Sequence, residues 1–212
     1  MSSGAAAVSM AMRALGEAGL NTPTSGNVSV REGDSFLISP SSKRWDRMTE
    51  SDVVAMSPEE THPAGLVPSS EWRLHAAIYR EKPHVNAVVH THSPWATSLS
   101  CLRKPLPPIH YAIVLGGADE VPCAEYEPFG SVELSRSVVR SMGEGNAALM
   151  ASHGLVTAGK SVDDALDLAI EIEWLCRVFL QASAAGQPVL LNRGELDRAR
   201  EQFRARARSV EE

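Results

Sequence analysis

Apolar and polar positions alternate along this chain with two periods, and the switches between them mark its elements. From about Ala5 to Gly19 an alanine-rich stretch carries Val8, Met12 and Leu15 at helical spacing, with Gly19 as its stop. Val28-Ser29-Val30-Arg31 alternates with period two and predicts a strand. Glu32-Gly33-Asp34 turns it, and Ser35 to Ser39 returns as the second arm of a hairpin. Thr49-Glu50-Ser51-Asp52 reads as a capped turn before a strand over Val53 to Met56. Pro58 to Pro68 is loop, and His62 within it is solvated.

The second half is more regular. Ser69-Ser70-Glu71-Trp72 opens a helix running to about Glu81, with Trp72, Ala76 and Tyr79 as its expected buried face. The apolar run Ala87 to Val89 leads into His90-Thr91-His92. Ser93-Pro94 then starts a helix to about Leu102, because proline is accepted at the first helical position. Pro105-Leu106-Pro107-Pro108 is a stiff hinge before Ile109-His110-Tyr111, and Val121 to Ala124 is a short strand. Phe129-Gly130-Ser131 begins a helix reaching Met142. Ala147 to Ala151 is an apolar strand closed by Ser152-His153-Gly154. Ser161 caps the longest helix, apolar on most sides from Ala165 to Leu180 and therefore expected to be deeply buried. An Arg-rich amphipathic segment, Glu195 to Arg208, comes last. The pattern predicts an α/β fold: a single domain over residues 1–212, with a mostly antiparallel central β-sheet flanked by helices.

Composition narrows the function. The chain has 43% apolar residues but only 5% aromatics, so Ala, Val and Leu fill the core. A formal charge of −6 and a pI near 5.7 speak against nucleic-acid binding. No apolar run has the length of a membrane span, and Met1 to Ala7 lacks the features of a secretory leader. Cys101, Cys123 and Cys176 are odd in number and widely spaced, which suits reduced thiols in a cytoplasm.

Candidate chemistry begins at the two histidines. Side chains on a strand alternate faces, so His90 and His92 point the same way, where they could share one metal ion. On a helix the same spacing would set them on nearly opposite sides. A pair on a wet strand edge would do nothing, so the rest of the chain has to decide. His153 lies at the end of another strand, with Gly154 permitting close backbone approach, and Glu71 sits at a helix start just before the His90 strand. Three imidazoles and one carboxylate form a plausible Zn²⁺ set. Gly26, Asn27, Ser41, Ser42, Ser69 and Ser70 form a second set of small donors at turns and helix starts. They are either ordinary caps or a phosphate cradle built without arginine.

Pro68-Ser69-Ser70-Glu71-Trp72-Arg73, Ala87-Val88-Val89-His90-Thr91-His92, Ile109-His110-Tyr111 and Ser152-His153-Gly154-Leu155 together resemble the class II aldolase/adducin family. The resemblance runs in order from Gly26-Asn27-Val28-Ser29 to the helix ending near Leu180. It implies a nine-stranded, mostly antiparallel sheet between helices, assembled as a homotetramer with active sites between subunits. It implies one Zn²⁺ per subunit, held by His90, His92 and His153, with Glu71 as a fourth ligand. Gly26, Asn27, Ser41, Ser42, Ser69 and Ser70 would hold the substrate phosphate. Glu71 would also transfer a proton, Tyr111 from a neighbouring subunit would act as an acid, and Phe129 would line the aldehyde half.

The implied activity is reversible cleavage of a ketose 1-phosphate, such as L-fuculose 1-phosphate or a deoxyketose analogue. The products would be dihydroxyacetone phosphate and a small aldehyde such as L-lactaldehyde. The metal would be the Lewis acid, with no Schiff-base lysine; Lys43, Lys82, Lys104 and Lys160 all fall in turns expected to be exposed. Alternatives within the fold are a ribulose-5-phosphate 4-epimerase and a methylthioribulose-1-phosphate dehydratase; outside it, a metal-free adducin-like interaction module. Two departures stand out. Ser41-Ser42 replaces the Thr-Gly common in the second phosphate loop, and Arg206 stands where the resembled aldolases carry a tail tyrosine.

Overall fold

Each expected strand is present, and the computed structural model, which describes residues 3–57 and 59–211, adds one more. The strands are β1 (Asn27–Glu32), β2 (Ser35–Ile38), β3 (Val54–Met56), β4 (Ala87–Thr91), β5 (Cys123–Ala124), β6 (Ala147–Met150) and β7 (Gly154–Gly159). The helices are α1 (Ser3–Glu17), α2 (Trp72–Glu81), α3 (Pro94–Cys101), α4 (Val132–Met142), α5 (Val162–Ala185) and α6 (Arg193–Glu211). The sheet runs β3-β2-β1-β4-β7-β6-β5, antiparallel throughout except for the β5–β6 pair. The expected loop start at Pro58 and the first two residues, Met1 and Ser2, lie outside the described residues.

Period two sorts the core into two layers. On β4, Ala87 and Val89 face α1, α3 and α5, whereas Val88 faces α2 and α4. His90 continues the Val88 parity, so it turns toward the α2 layer. On β1, Val28 takes the first face and Asn27 and Ser29 the second. The same face of the sheet therefore carries His90 and Asn27 toward the start of α2.

Four expectations change. The resemblance implies nine strands; among the described residues there are seven, and two further pairings are single bridges, Pro40↔Pro68 and Leu106↔Val121. Prolines lack the N–H a ladder needs, and Pro105, Pro107 and Pro122 flank the second bridge. The strand β7 has no counterpart in the pattern reading, because its apolar core Leu155–Val156 follows a turn glycine and runs on without alternation. On α2 the buried face is Leu74, His75, Ile78 and Tyr79, with Trp72 and Ala76 only half-buried. Burying Leu74 and Ile78 contributes about 1.5–3 kcal/mol each. Finally, α5 is buried along one face only, with Ile170 and Trp174 exposed on the other.

Other boundaries fall close to expectation. Gly19 ends α1 in a left-handed conformation, and Ser131 and Ser161 cap α4 and α5 through their hydroxyls. The three cysteines are free. Among the described residues no helix is long and apolar enough to cross a membrane.

Candidate active site

Strand β4 ends in the buried His90, whose Nδ1–H donates to the Leu155 carbonyl on β7 at 2.9 Å. That bond fixes the tautomer and turns the Nε2 lone pair outward. His92 stands one residue past the strand, its backbone N–H held by Asn21 Oδ1 at 3.1 Å. His153 occupies the tight turn from β6 to β7. A Cβ on Gly154 would lie 2.3 Å from the Thr91 carbonyl oxygen, so only glycine lets β7 leave the turn against β4. One ring nitrogen from each histidine lies within 4.8 Å of the others, and the His90 and His92 Nε2 atoms are 3.0 Å apart.

Glu71 immediately precedes α2 and is 4% exposed. Its Oε1 accepts the Gly130 N–H at 2.7 Å. Gly130 has φ +71°, and a Cβ there would lie 2.7 Å from the Ser70 carbonyl oxygen, so this donor can approach only without a side chain. Glu71 Oε2 lies 3.7 Å from His90 Nε2 and 3.6 Å from His153 Nε2 and is buried without a hydrogen-bond partner.

The electrostatics keep the three histidines uncharged. Burial, reinforced by neighbouring His153 and His92, holds His90 well below the ordinary imidazole range, with the Leu155 carbonyl pulling the other way. Burial likewise lowers His92, and burial with the nearby His92 lowers His153 to about 4. Burial raises Glu71, opposed by the Gly130 hydrogen bond. At neutral pH these histidines are neutral, so their contacts with Glu71 are not ion pairs. Facing imidazole nitrogens and an orphaned carboxylate oxygen fit a divalent cation: it would satisfy every lone pair that points into the cluster.

Beside this cluster lies a cavity of about 410 Å³. Gly26, Asn27, Ser41, Ser42, Ser69, Ser70, Glu71, His90, His92, Phe129 and His153 all line it, so the structure gathers every expected site residue but one. Thr24, Ser25, Tyr126, Glu127 and Ser152 join them without having been singled out by function in the sequence. Thr24 and Ser25 had a signal, since they run directly into Gly26-Asn27. Among the described residues no lysine or arginine lines the cavity, so the donors it offers are hydroxyls, an amide and backbone N–H groups.

The exception is Tyr111. It is 55% exposed at the start of a 3-10 helix (Tyr111–Gly116), stacks on Phe203 of α6 with ring centroids 5.9 Å apart, and is not among the residues lining its own chain's cavity. Arg206 is exposed on α6 and likewise does not line it. Lys82 corrects the expectation of four exposed lysines: it is 6% exposed and donates to the Gly143 carbonyl at the end of α4. None of Lys43, Lys82, Lys104 and Lys160 lines the cavity.

Comparison with known proteins bears on this geometry. The family model described as Class II Aldolase and Adducin N-terminal domain matches residues 6–180. The chain is 40% identical over 195 residues to the L-fuculose phosphate aldolase of Escherichia coli (strain K12), covering 92% of this chain and 91% of that one. It is 38% identical over 194 residues to a 5-methylthioribulose-1-phosphate/5-deoxyribulose-1-phosphate aldolase of Rhodospirillum rubrum, covering 92% and 88%. Among solved structures, an L-fuculose 1-phosphate aldolase superposes with a TM-score of 0.92 at 31% identity, over 96% of this chain and 97% of that one.

Proposed function

The chain belongs to the class II aldolase and adducin family, and on that premise we propose that it cleaves a deoxyketose 1-phosphate, L-fuculose 1-phosphate or a close analogue, reversibly. The products are dihydroxyacetone phosphate and a small aldehyde such as L-lactaldehyde. One observation carries the reading: Glu71 Oε2 is buried and unpartnered between His90 and His153, in the same cavity as a wall of neutral donors. An interaction module has no use for such a convergence.

In this reading Gly26, Asn27, Ser41, Ser42, Ser69 and Ser70 hold the phosphate and so fix the reacting carbons relative to Glu71. His90, His92 and His153, with Glu71 as a fourth ligand only until substrate takes its place, are the groups that would hold one Zn²⁺ per subunit. When bound, that ion supplies Lewis-acid stabilisation of the negative charge that develops as the C3–C4 bond breaks. Glu71 carries the proton. Gly130 anchors its Oε1, leaving Oε2 free to exchange a proton with the carbon that becomes part of dihydroxyacetone phosphate, and burial favours the protonated form that can donate. Phe129, at the cavity wall and 72% exposed, meets the aldehyde half.

Tyr111 of the partner subunit serves as acid toward the aldehyde oxygen in the synthetic direction, and the working unit is the homotetramer with shared sites that the family resemblance implies. Its exposure beside Phe203 and outside its own cavity supports that placement. The chain works as one domain in the cytoplasm. The deciding experiment measures dihydroxyacetone phosphate release from L-fuculose 1-phosphate, 5-deoxyribulose 1-phosphate and 5-methylthioribulose 1-phosphate. Release from at least one is expected. Epimerised or dehydrated product with no release from any would overturn the aldolase assignment.

A further inference from the structure

Behind the donor wall, four buried polar side chains form one hydrogen-bonded line that ends at Asn27. Tyr79 Oη lies 2.7 Å from Ser29 Oγ, Ser29 Oγ 2.6 Å from His75 Nδ1, and His75 Nε2 2.5 Å from Asn27 Oδ1. Their exposures are 5%, 0%, 0% and 4%. Ser29 and Asn27 share one face of β1, two residues apart. His75 and Tyr79 share one face of α2, four apart, so strand and helix periods meet in register.

A line like this has a direction. A histidine with one proton can donate from only one nitrogen, so whichever way the line runs, it sets which end of the Asn27 amide meets His75. The atom of Asn27 that meets His75 Nε2 is Oδ1, and an amide oxygen only accepts, so His75 holds its proton on Nε2, its Nδ1 must be donated to, and the Tyr79 hydroxyl is the donor at the far end. The Tyr79 proton goes to Ser29 Oγ, the Ser29 proton to His75 Nδ1, and the His75 proton, on Nε2, to Asn27 Oδ1. The Asn27 NH₂ group is then left for the cavity, which Asn27 lines.

We infer that His75 is a positioning residue, which holds the Asn27 amide so that its NH₂ group, not its carbonyl oxygen, faces the cavity and donates to a phosphate. The inference rests on reading the cavity as a phosphate site. Run in reverse, the line would present a carbonyl oxygen to an anion and repel it. His75 thus acts on the substrate through Asn27 alone, while Asn27 is the residue that touches it.

The test is phosphate binding and steady-state kinetics on the metal-loaded protein. Inorganic phosphate is titrated calorimetrically into wild type, Asn27→Ala, His75→Phe, His75→Gln and Ser29→Ala. Asn27→Ala checks the parent reading by itself and should bind phosphate at least about tenfold more weakly. His75→Phe keeps a ring but cannot donate, so its phosphate Kd and its KM for the ketose 1-phosphate should rise about tenfold, with kcat within about threefold of wild type and metal content unchanged. Glutamine offers both an acceptor for Ser29 and a donor for Asn27, so His75→Gln should return both values to within about threefold of wild type. Ser29→Ala frees the histidine to change tautomer and should weaken phosphate binding about threefold.

Wild-type phosphate affinity in His75→Phe, beside weak binding in Asn27→Ala, would overturn the positioning role and leave the phosphate site standing. Equal losses in His75→Gln and His75→Phe would make His75 a packing residue. Should His75→Phe not fold, wild-type affinity in Ser29→Ala would overturn the inference equally. A wild-type protein that binds no phosphate would take down both readings together.

Discussion

Glu71 and Gly130 meet through a single 2.7 Å hydrogen bond that ties the carboxylate before α2 to the loop before α4. Because that bond occupies Oε1, only Oε2 is left to face His90 and His153. The Glu71→Gln protein should therefore keep the fold and its metal, yet lose about 10²–10⁴-fold in kcat, the usual weight of a positioned proton carrier. Rates in both directions, with metal content by mass spectrometry, check it. A Glu71→Gln enzyme at near wild-type rate would remove Glu71 from the chemistry.

Removing a ligand has a different signature. His153 sits in a turn rather than in the core, with 13% of its side chain exposed. The His153→Ala protein should retain its far-ultraviolet circular dichroism, lose its metal and lose activity. Chelator treatment of wild type should do the same, and Zn²⁺ should restore it. Stoichiometric zinc in His153→Ala would show that His90, His92 and Glu71 suffice without it.

The proposal of sites shared between subunits predicts complementation. A Glu71→Gln subunit still supplies a normal Tyr111, and a Tyr111→Phe subunit a normal Glu71. Mixing the two inactive proteins under subunit exchange should restore part of the wild-type activity. If exchange is demonstrated by mass and activity stays flat, Tyr111 does not act across an interface.

The turn at Ser41-Ser42 carries a measurable strain. Ser42 has φ +58°, a conformation that costs a side-chain-bearing residue roughly 1 kcal/mol and costs glycine little. The Ser42→Gly protein should be stabilised by about 0.5–1 kcal/mol in urea unfolding. An unchanged or lowered midpoint would mean that the Ser42 side chain offsets the strain.

His75 sets a pH dependence of stability. Burial lowers it from 6.5 to about 3, so between those values the unfolded chain binds a proton that the folded chain refuses. The associated stability is present above pH 6.5 and is lost as pH falls toward 3. From pH 7.5 to 5 the loss is about 2 kcal/mol. Other buried histidines titrate as well, so the quantity to measure is the difference in slope between wild type and His75→Gln. Parallel slopes would show that His75 does not contribute.

Much of the site was legible because it follows short-range rules. His90-Thr91-His92 announced a shared face through the strand period, and Ser152-His153-Gly154 announced a turn through its glycine. What the sequence hid depends on partners far along the chain. His75 looks like one more polar position on an amphipathic helix, and only Ser29 and Asn27, brought by β1, make it a buried residue with a direction. Strand β7 was hidden for a related reason: it is covered on both faces, so Leu155 and Val156 show no alternation. Tyr111 was found by resemblance alone, and it does not line the cavity of its own chain.

The central position of β4, between β1 on one side and β7 on the other, has a consequence for synthesis. As the chain leaves the ribosome, β4 can pair with β1 as soon as it emerges. The Leu155 carbonyl that sets the His90 tautomer lies 65 residues further on, and His153 just before it. A nascent chain thus carries two of its three imidazoles for the length of several helices before the third exists. The full set of three imidazoles therefore exists only once synthesis has passed His153, nearly three-quarters of the way along the 212-residue chain.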